Sequence, residues 1–142
     1  MKLKNVKGIA VTVAAVLSFS GCTTSSPDSY FPPDPTATPI TLSKEQFLAV
    51  KYGLGIKLKD PYTASLGGLA ASRDGKGIVT VCGNVNAKNS FGAYTGYQSF
   101  GGLLGPRSDG SLAFLVLAFG DTPVNEMAVT AFCRSKGLSA GA

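Results

Sequence analysis

Asp74-Gly75-Lys76-Gly77-Ile78-Val79-Thr80-Val81-Cys82 is the stretch on which the fold turns. Asp-Gly is a hairpin-turn signal. The β-branched run behind it reads as a strand that extends to Val85. A hairpin needs a partner, and residues 66 to 72 supply a weakly patterned first strand. Toward the C-terminus, Thr95 to Leu104 reads as a third strand, with Tyr97 and Phe100 among its large residues. Gly105-Pro106-Arg107-Ser108-Asp109-Gly110 is a turn. Leu112 to Phe119 is a fourth strand, whose unbroken apolar run predicts burial on both faces. Gly67-Gly68 and Gly101-Gly102 read as bulges or bends within strands.

Helices are expected on either side of these strands. Ser43 and Gln46 match a capping box, with Leu42 and Phe47 at the staple positions. Glu45 lies in the first turn, where the helix dipole favours negative charge. Phe47, Val50, Leu54 and Leu58 then share one face at helical spacing. Asp60 and Pro61 can cap and open a short helical turn. At the other end Thr122 caps and Pro123 opens a helix with Val124, Met127, Ala128, Ala131 and Phe132 on one face. Arg134 and Lys136 suit its negative end, and Gly137 can stop it. The expected domain spans 41–138, with a short tail at 139–142. Its class is α+β: a helix, a three- to four-stranded antiparallel meander and a C-terminal helix, both helices on one face of the sheet.

The N-terminus is of another kind. Lys2, Lys4 and Lys7 precede an apolar run from Ile9 to Phe19, which is too short to span a bilayer and suits a signal peptide. Phe19-Ser20-Gly21-Cys22 follows and resembles the bacterial lipobox, with Phe19 where that pattern usually has Leu. The resemblance implies cleavage after residue 21 of a 1–21 signal peptide, diacylglycerol on the Cys22 sulfur and a third chain on the new N-terminus. Multiple acyl chains anchor stably to a membrane. Thr23, in place of an Asp that retains such proteins in the inner membrane, favours the periplasmic face of the outer membrane. Residues 22–40 read as a tether, polar at first and then carrying Pro27, Pro32, Pro33, Pro35 and Pro39. Such chain is extended, and eighteen residues of it reach roughly 55 Å.

Trimming changes the charge. The full chain carries +5 from 13 basic and 8 acidic residues. Removing Lys2, Lys4 and Lys7 leaves 10 minus 8, or +2. That near-neutral balance argues against a nucleic-acid partner, which needs a strongly basic face. Cys82 and Cys133 remain after Cys22 is lipidated, an even pair in an oxidising compartment, and are expected to form a disulfide.

One segment stands out for function. Val81-Cys82-Gly83-Asn84-Val85-Asn86-Ala87-Lys88-Asn89-Ser90-Phe91-Gly92-Ala93-Tyr94-Thr95-Gly96-Tyr97-Gln98-Ser99-Phe100 is dense in amides, glycines and short polar residues. Asn side chains bond their own backbone and tolerate turns, so a structural connection is one reading. The other is a contact surface of Asn86, Lys88, Asn89, Tyr94 and Tyr97, in which rings stack and amides read polar edges. The segment resembles V-C-G-x-V-N-A-K-N-S-F-G-x-Y-x-G-x-x-x-F, a pattern of small exported or lipid-anchored proteobacterial proteins; Lys59-Asp60-Pro61 also fits. The resemblance covers most of residues 45 to 135. It implies a location in the cell envelope and brings no catalytic residues with it.

An enzyme finds little support. The chain has no His, the commonest general base and metal ligand. No acidic pair, metal-ligand spacing or phosphate loop stands out, and nothing calls for a cofactor. The reading reached from sequence is a lipid-anchored, non-enzymatic envelope module that binds a protein or a glycan. An inhibitor of lysozyme-like enzymes and a cell-wall-active enzyme are the alternatives.

Overall fold

A computed structural model describes residues 32–139. Cys22, the signal peptide and the first part of the tether lie outside the described residues. The elements are β1 (Thr38–Ile40), α1 (Lys44–Leu54), a 3-10 turn (Pro61–Thr63), β2 (Ser65–Arg73), β3 (Val79–Asn86), β4 (Gln98–Pro106), β5 (Leu112–Phe119) and α2 (Pro123–Ser135). The strands form one antiparallel sheet in the order β1-β2-β3-β4-β5. The α+β class and its meander hold, with five strands instead of three or four.

The extra strand comes from the stretch read as tether. Thr38, Pro39 and Ile40 stand opposite Arg73, Ser72 and Ala71. Proline removes a ladder donor, so it is confined to sheet edges, and β1 is an edge. The chain just before it is also fixed. The Asp34 amide donates to the Ser135 carbonyl at 2.8 Å, and Lys136 Nζ lies 3.3 Å from Asp34 Oδ2. Thr36 Oγ1 accepts from the Gly75 amide at 2.8 Å. Contacts with the domain thus reach back to Asp34, inside the stretch read as tether.

Both helix starts follow their sequence signals. Ser43 Oγ accepts from the Gln46 amide at 3.2 Å, and Gln46 Oε1 accepts from the Ser43 amide at 2.9 Å. Thr122 Oγ1 accepts from the Asn125 amide at 3.2 Å, with Pro123 first in the helix. Gly137, at φ +68°, ends α2, and the Leu138 amide reaches back to the Cys133 carbonyl. Asp60 makes no side-chain cap; its carbonyl accepts from the Thr63 hydroxyl instead.

The helices lie on opposite faces of the sheet, which corrects the one-face arrangement. Val79, Val81 and Val85 of β3 pack with Ala49, Val50 and Leu54 of α1, together with Phe100, Leu104 and Phe114. Cys82, pointing the other way, packs with Val129, Phe132 and Leu138. Successive side chains of a strand face opposite sides, so β3 serves two cores at once. Phe100 meets Phe114 edge-on, ring centres 5.9 Å apart. Fully buried residues such as Phe100, Val81 and Val50 contribute roughly 1.5–3 kcal/mol each.

The expected disulfide joins Cys82 to Cys133, Cα atoms 6.1 Å apart, and ties β3 to α2. Gly101 lets α2 come close: a Cβ there would lie 2.6 Å from Phe132 Cδ1. Register shifts fall at Gly67–Ala70 and at Gly101–Gly102, as the glycine pairs suggest.

Three expectations fail in detail. β4 begins at Gln98, so Tyr97 precedes it and is 59% exposed. β5 is an edge strand, and Leu115 and Leu117 are 62% and 51% exposed. α2 buries Val129, Phe132 and Cys133 and turns Val124 and Met127 to solvent. Its apolar stripe is wider than its contact with the sheet, and the disulfide fixes which part faces inward.

Candidate functional site

The segment singled out from sequence ends β3 and forms the connection to β4. Asn89 builds its turn. Its Oδ1 accepts from the Phe91 amide at 2.9 Å and the Ala93 amide at 3.1 Å, and its own amide donates to the Ala93 carbonyl. Gly92, at φ +79°, takes the left-handed position that this tight turn requires. Lys88 bridges to Tyr94 across the turn, and Lys88 Nζ sits 5.6 Å from the Tyr94 ring centre. The Lys88 amide donates to Thr63 Oγ1 at 3.0 Å, which docks the connection on the 3-10 turn.

Of the five suspected residues, Lys88 and Tyr94 touch, and Lys88 and Asn89 share a groove. Lys88 and Asn89 line a groove of about 500 Å³ at the end of the sheet where β3 and β5 finish and β4 begins. Lys57, Leu58 and Lys59, from the segment after α1, form another part of its wall. Thr95 and Gln98 lead into β4, and Leu117, Ala118 and Phe119 come from β5. Asp121, Asn125 and Ala128 belong to the start of α2 and the turn before it. Tyr94 and Tyr97 are not among the lining residues. Tyr97 instead lies against Gly67, where a Cβ would come within 3.3 Å of its Cε1. Asn86 is partly buried in β3, paired with Ser65, and its Oδ1 is a buried acceptor with no partner among the described residues.

The groove lining combines lysines and amides with the apolar residues Leu58, Leu117 and Phe119. Lys57 and Lys59 are exposed, Lys88 half-buried. Asn125 Nδ2 donates to Asp121 Oδ1 at 2.6 Å, which engages the one carboxylate of the lining. Nearby, the Ser99 hydroxyl donates to Glu126 Oε2 at 2.6 Å and fastens α2 to β4. Among the described residues no group of three His, Cys, Asp or Glu could hold a metal ion.

Sequence reading noted Gln98 among the amides of the segment but missed Lys57, Lys59, Asp121 and Asn125 as site residues. These four come from two distant parts of the chain with no common motif, and only the fold brings them together. It also missed an aromatic slot of about 360 Å³ between Leu48, Lys51, Tyr52, Gly55, Pro61 and Tyr62. Tyr52 and Tyr62 are 81% and 94% exposed.

No protein-family model, curated protein or solved structure matches this chain.

Proposed function

We propose that the protein is a lipid-anchored module of the bacterial cell envelope that binds another envelope component without catalysis. Lipid at Cys22 would hold it on the membrane, with the periplasmic face of the outer membrane favoured by Thr23. The contact surface is the groove at the end of the sheet. The observation that carries the reading is the convergence of Lys88 and Asn89 with Lys57, Lys59, Gln98 and Asn125 around one open volume of about 500 Å³. A pocket of this size that combines a few polar groups with apolar lining is the ordinary form of a ligand site. Its lining carries one carboxylate, Asp121, already bonded to Asn125, and no nucleophile beside a base. That composition suits holding a partner better than transforming one.

Two measurements test the reading. Intact mass of the exported chain should show acyl chains on Cys22 and none in Cys22→Ser; an unmodified Cys22 would remove the anchor. Capture from a detergent-solubilised envelope should retain a component that Gln98→Ala/Asn125→Ala loses while keeping its melting temperature. Retention unchanged by that pair would remove the groove.

A further inference from the structure

We infer that the groove binds a carboxylate- or phosphate-bearing sugar chain. The inference rests on the groove being the contact surface, and names what it holds. Three lysines line it against one aspartate, so the lining carries 3 minus 1, or +2. None of Lys57, Lys59 and Lys88 forms an ion pair among the described residues, whereas Lys136 pairs with Asp34 at the other end of α2. Asp121, held by Asn125 Nδ2, is the one negative charge of the lining and leaves the lysines in excess. Lys88 is held over the Tyr94 ring, an arrangement that keeps its charge while fixing its position. The first turn of α2 opens on the same volume through Asn125, and the positive end of a helix adds to the field there.

The remaining lining favours sugar over peptide. Gln98 makes no side-chain hydrogen bond among the described residues and can both donate and accept. Thr95 adds a hydroxyl with no partner among the described residues and Asn89 an amide nitrogen, its oxygen being used by the turn. Leu117 and Phe119 add apolar surface to the same lining. A sugar ring has hydroxyls on its rim and C–H groups on its face, and this groove offers both amides and apolar groups. The acidic substituent then meets the lysines. A volume near 500 Å³ takes a short stretch of chain, where a lone inorganic anion would leave most of it unfilled.

The test is binding of the full exported chain in detergent to four immobilised probes: polygalacturonate, phosphorylated dextran, unmodified dextran and polyglutamate. One or both acidic glycans should bind, dextran should not, and the difference between the two acidic arms tells carboxylate from phosphate. Lys57→Gln/Lys59→Gln should weaken binding, and adding Lys88→Gln should bring the loss to at least about tenfold at low salt. Lys57 and Lys59 are exposed, so the double variant keeps its melting temperature and isolates charge from folding. Equal binding to dextran, tighter binding to polyglutamate than to either acidic glycan, indifference to the lysine variants, or binding to none of the probes would each overturn the inference. If Gln98→Ala/Asn125→Ala abolishes envelope capture while the lysine variants do not, the groove stands as the contact surface and its anionic ligand falls.

Discussion

Gly53 sits in the second half of α1, and Gly53→Ala sets two effects against each other. By helix propensity alone, alanine should stabilise the interior of a helix by about 1 kcal/mol over glycine. The structure predicts the reverse. A Cβ on residue 53 would overlap the Phe114 carbonyl oxygen and lie 2.8 Å from Phe114 Cβ and 3.1 Å from its carbonyl carbon. These are main-chain and Cβ atoms of β5, so no rotamer change relieves the overlap. Either α1 lifts from the sheet or β5 shifts, and overpacking of this kind costs about 1–3 kcal/mol. With backbone as the obstacle the upper part of that range applies, for a net loss of about 1–2 kcal/mol. In a domain of this size that lowers Tm by roughly 4–16 °C. The assay is thermal unfolding followed by circular dichroism. Gly105→Ala is the control: nothing lies within 4 Å of a Cβ there, and removing a strand glycine should leave Tm level or slightly raised. A Gly53→Ala protein that melts at or above the wild-type temperature would refute the close packing of α1 on β5.

Three further outcomes are expected. Reducing the Cys82–Cys133 bond, whose ends are 51 residues apart, should add two protons to the intact mass and cost roughly 4 kcal/mol in urea unfolding, with no mass change if the thiols were free. Ser43→Ala breaks one arm of the capping box at its N-cap and should cost about 1 kcal/mol of stability, read from the urea midpoint. The Thr36 hydroxyl and amide, with Lys136 adding, hold the Asp34 carboxyl below its ordinary 3.8. Its folded pKa is depressed, so its contribution is full above the unfolded value and is lost as pH falls through the folded one. Asp34→Asn should therefore flatten the acid dependence of stability between about pH 5 and pH 2, and an unchanged urea-midpoint profile would show that Asp34 is free in solution.

Much of the fold is legible because its signals are local. The Ser43 box, Thr122-Pro123 and Asp74-Gly75 each fix a boundary within a few residues, and each lies where the sequence places it. The glycine pairs mark the ladder irregularities for the same reason. What is not legible depends on contacts between distant parts. β1 hides in a proline-rich stretch because its strand character comes from β2, not from its own residues. The faces of the sheet are ambiguous because Val79-Thr80-Val81-Cys82 is buried on both sides, which tells of two covering layers without saying which helix supplies each. Leu112 to Phe119 shows the converse: an unbroken apolar run that lies at the sheet edge with part of its surface in water. The site is half legible. Lys88 and Asn89 declare themselves in an amide-rich segment, whereas Lys57 and Asn125 join them only through the third dimension. Asn89 spends its side-chain oxygen on the turn, as the structural reading expects, while the residue also lies on the groove wall.

α2 has a different task at each end. Its first turn lines the groove, while its last residues hold Asp34, where the chain from the N-terminus joins the domain. Thirteen residues at 1.5 Å each set these points about 20 Å apart. If Cys22 carries lipid, the ten residues to Pro32 span no more than about 35 Å. The chain from the N-terminus thus meets the described domain at the end of α2 opposite the groove. If a lipid anchor held that end nearest a bilayer, the groove would face away from it. Such an orientation would leave lipid headgroups of the same leaflet out of reach and present the groove to a polymer layer or a surface standing off from the membrane.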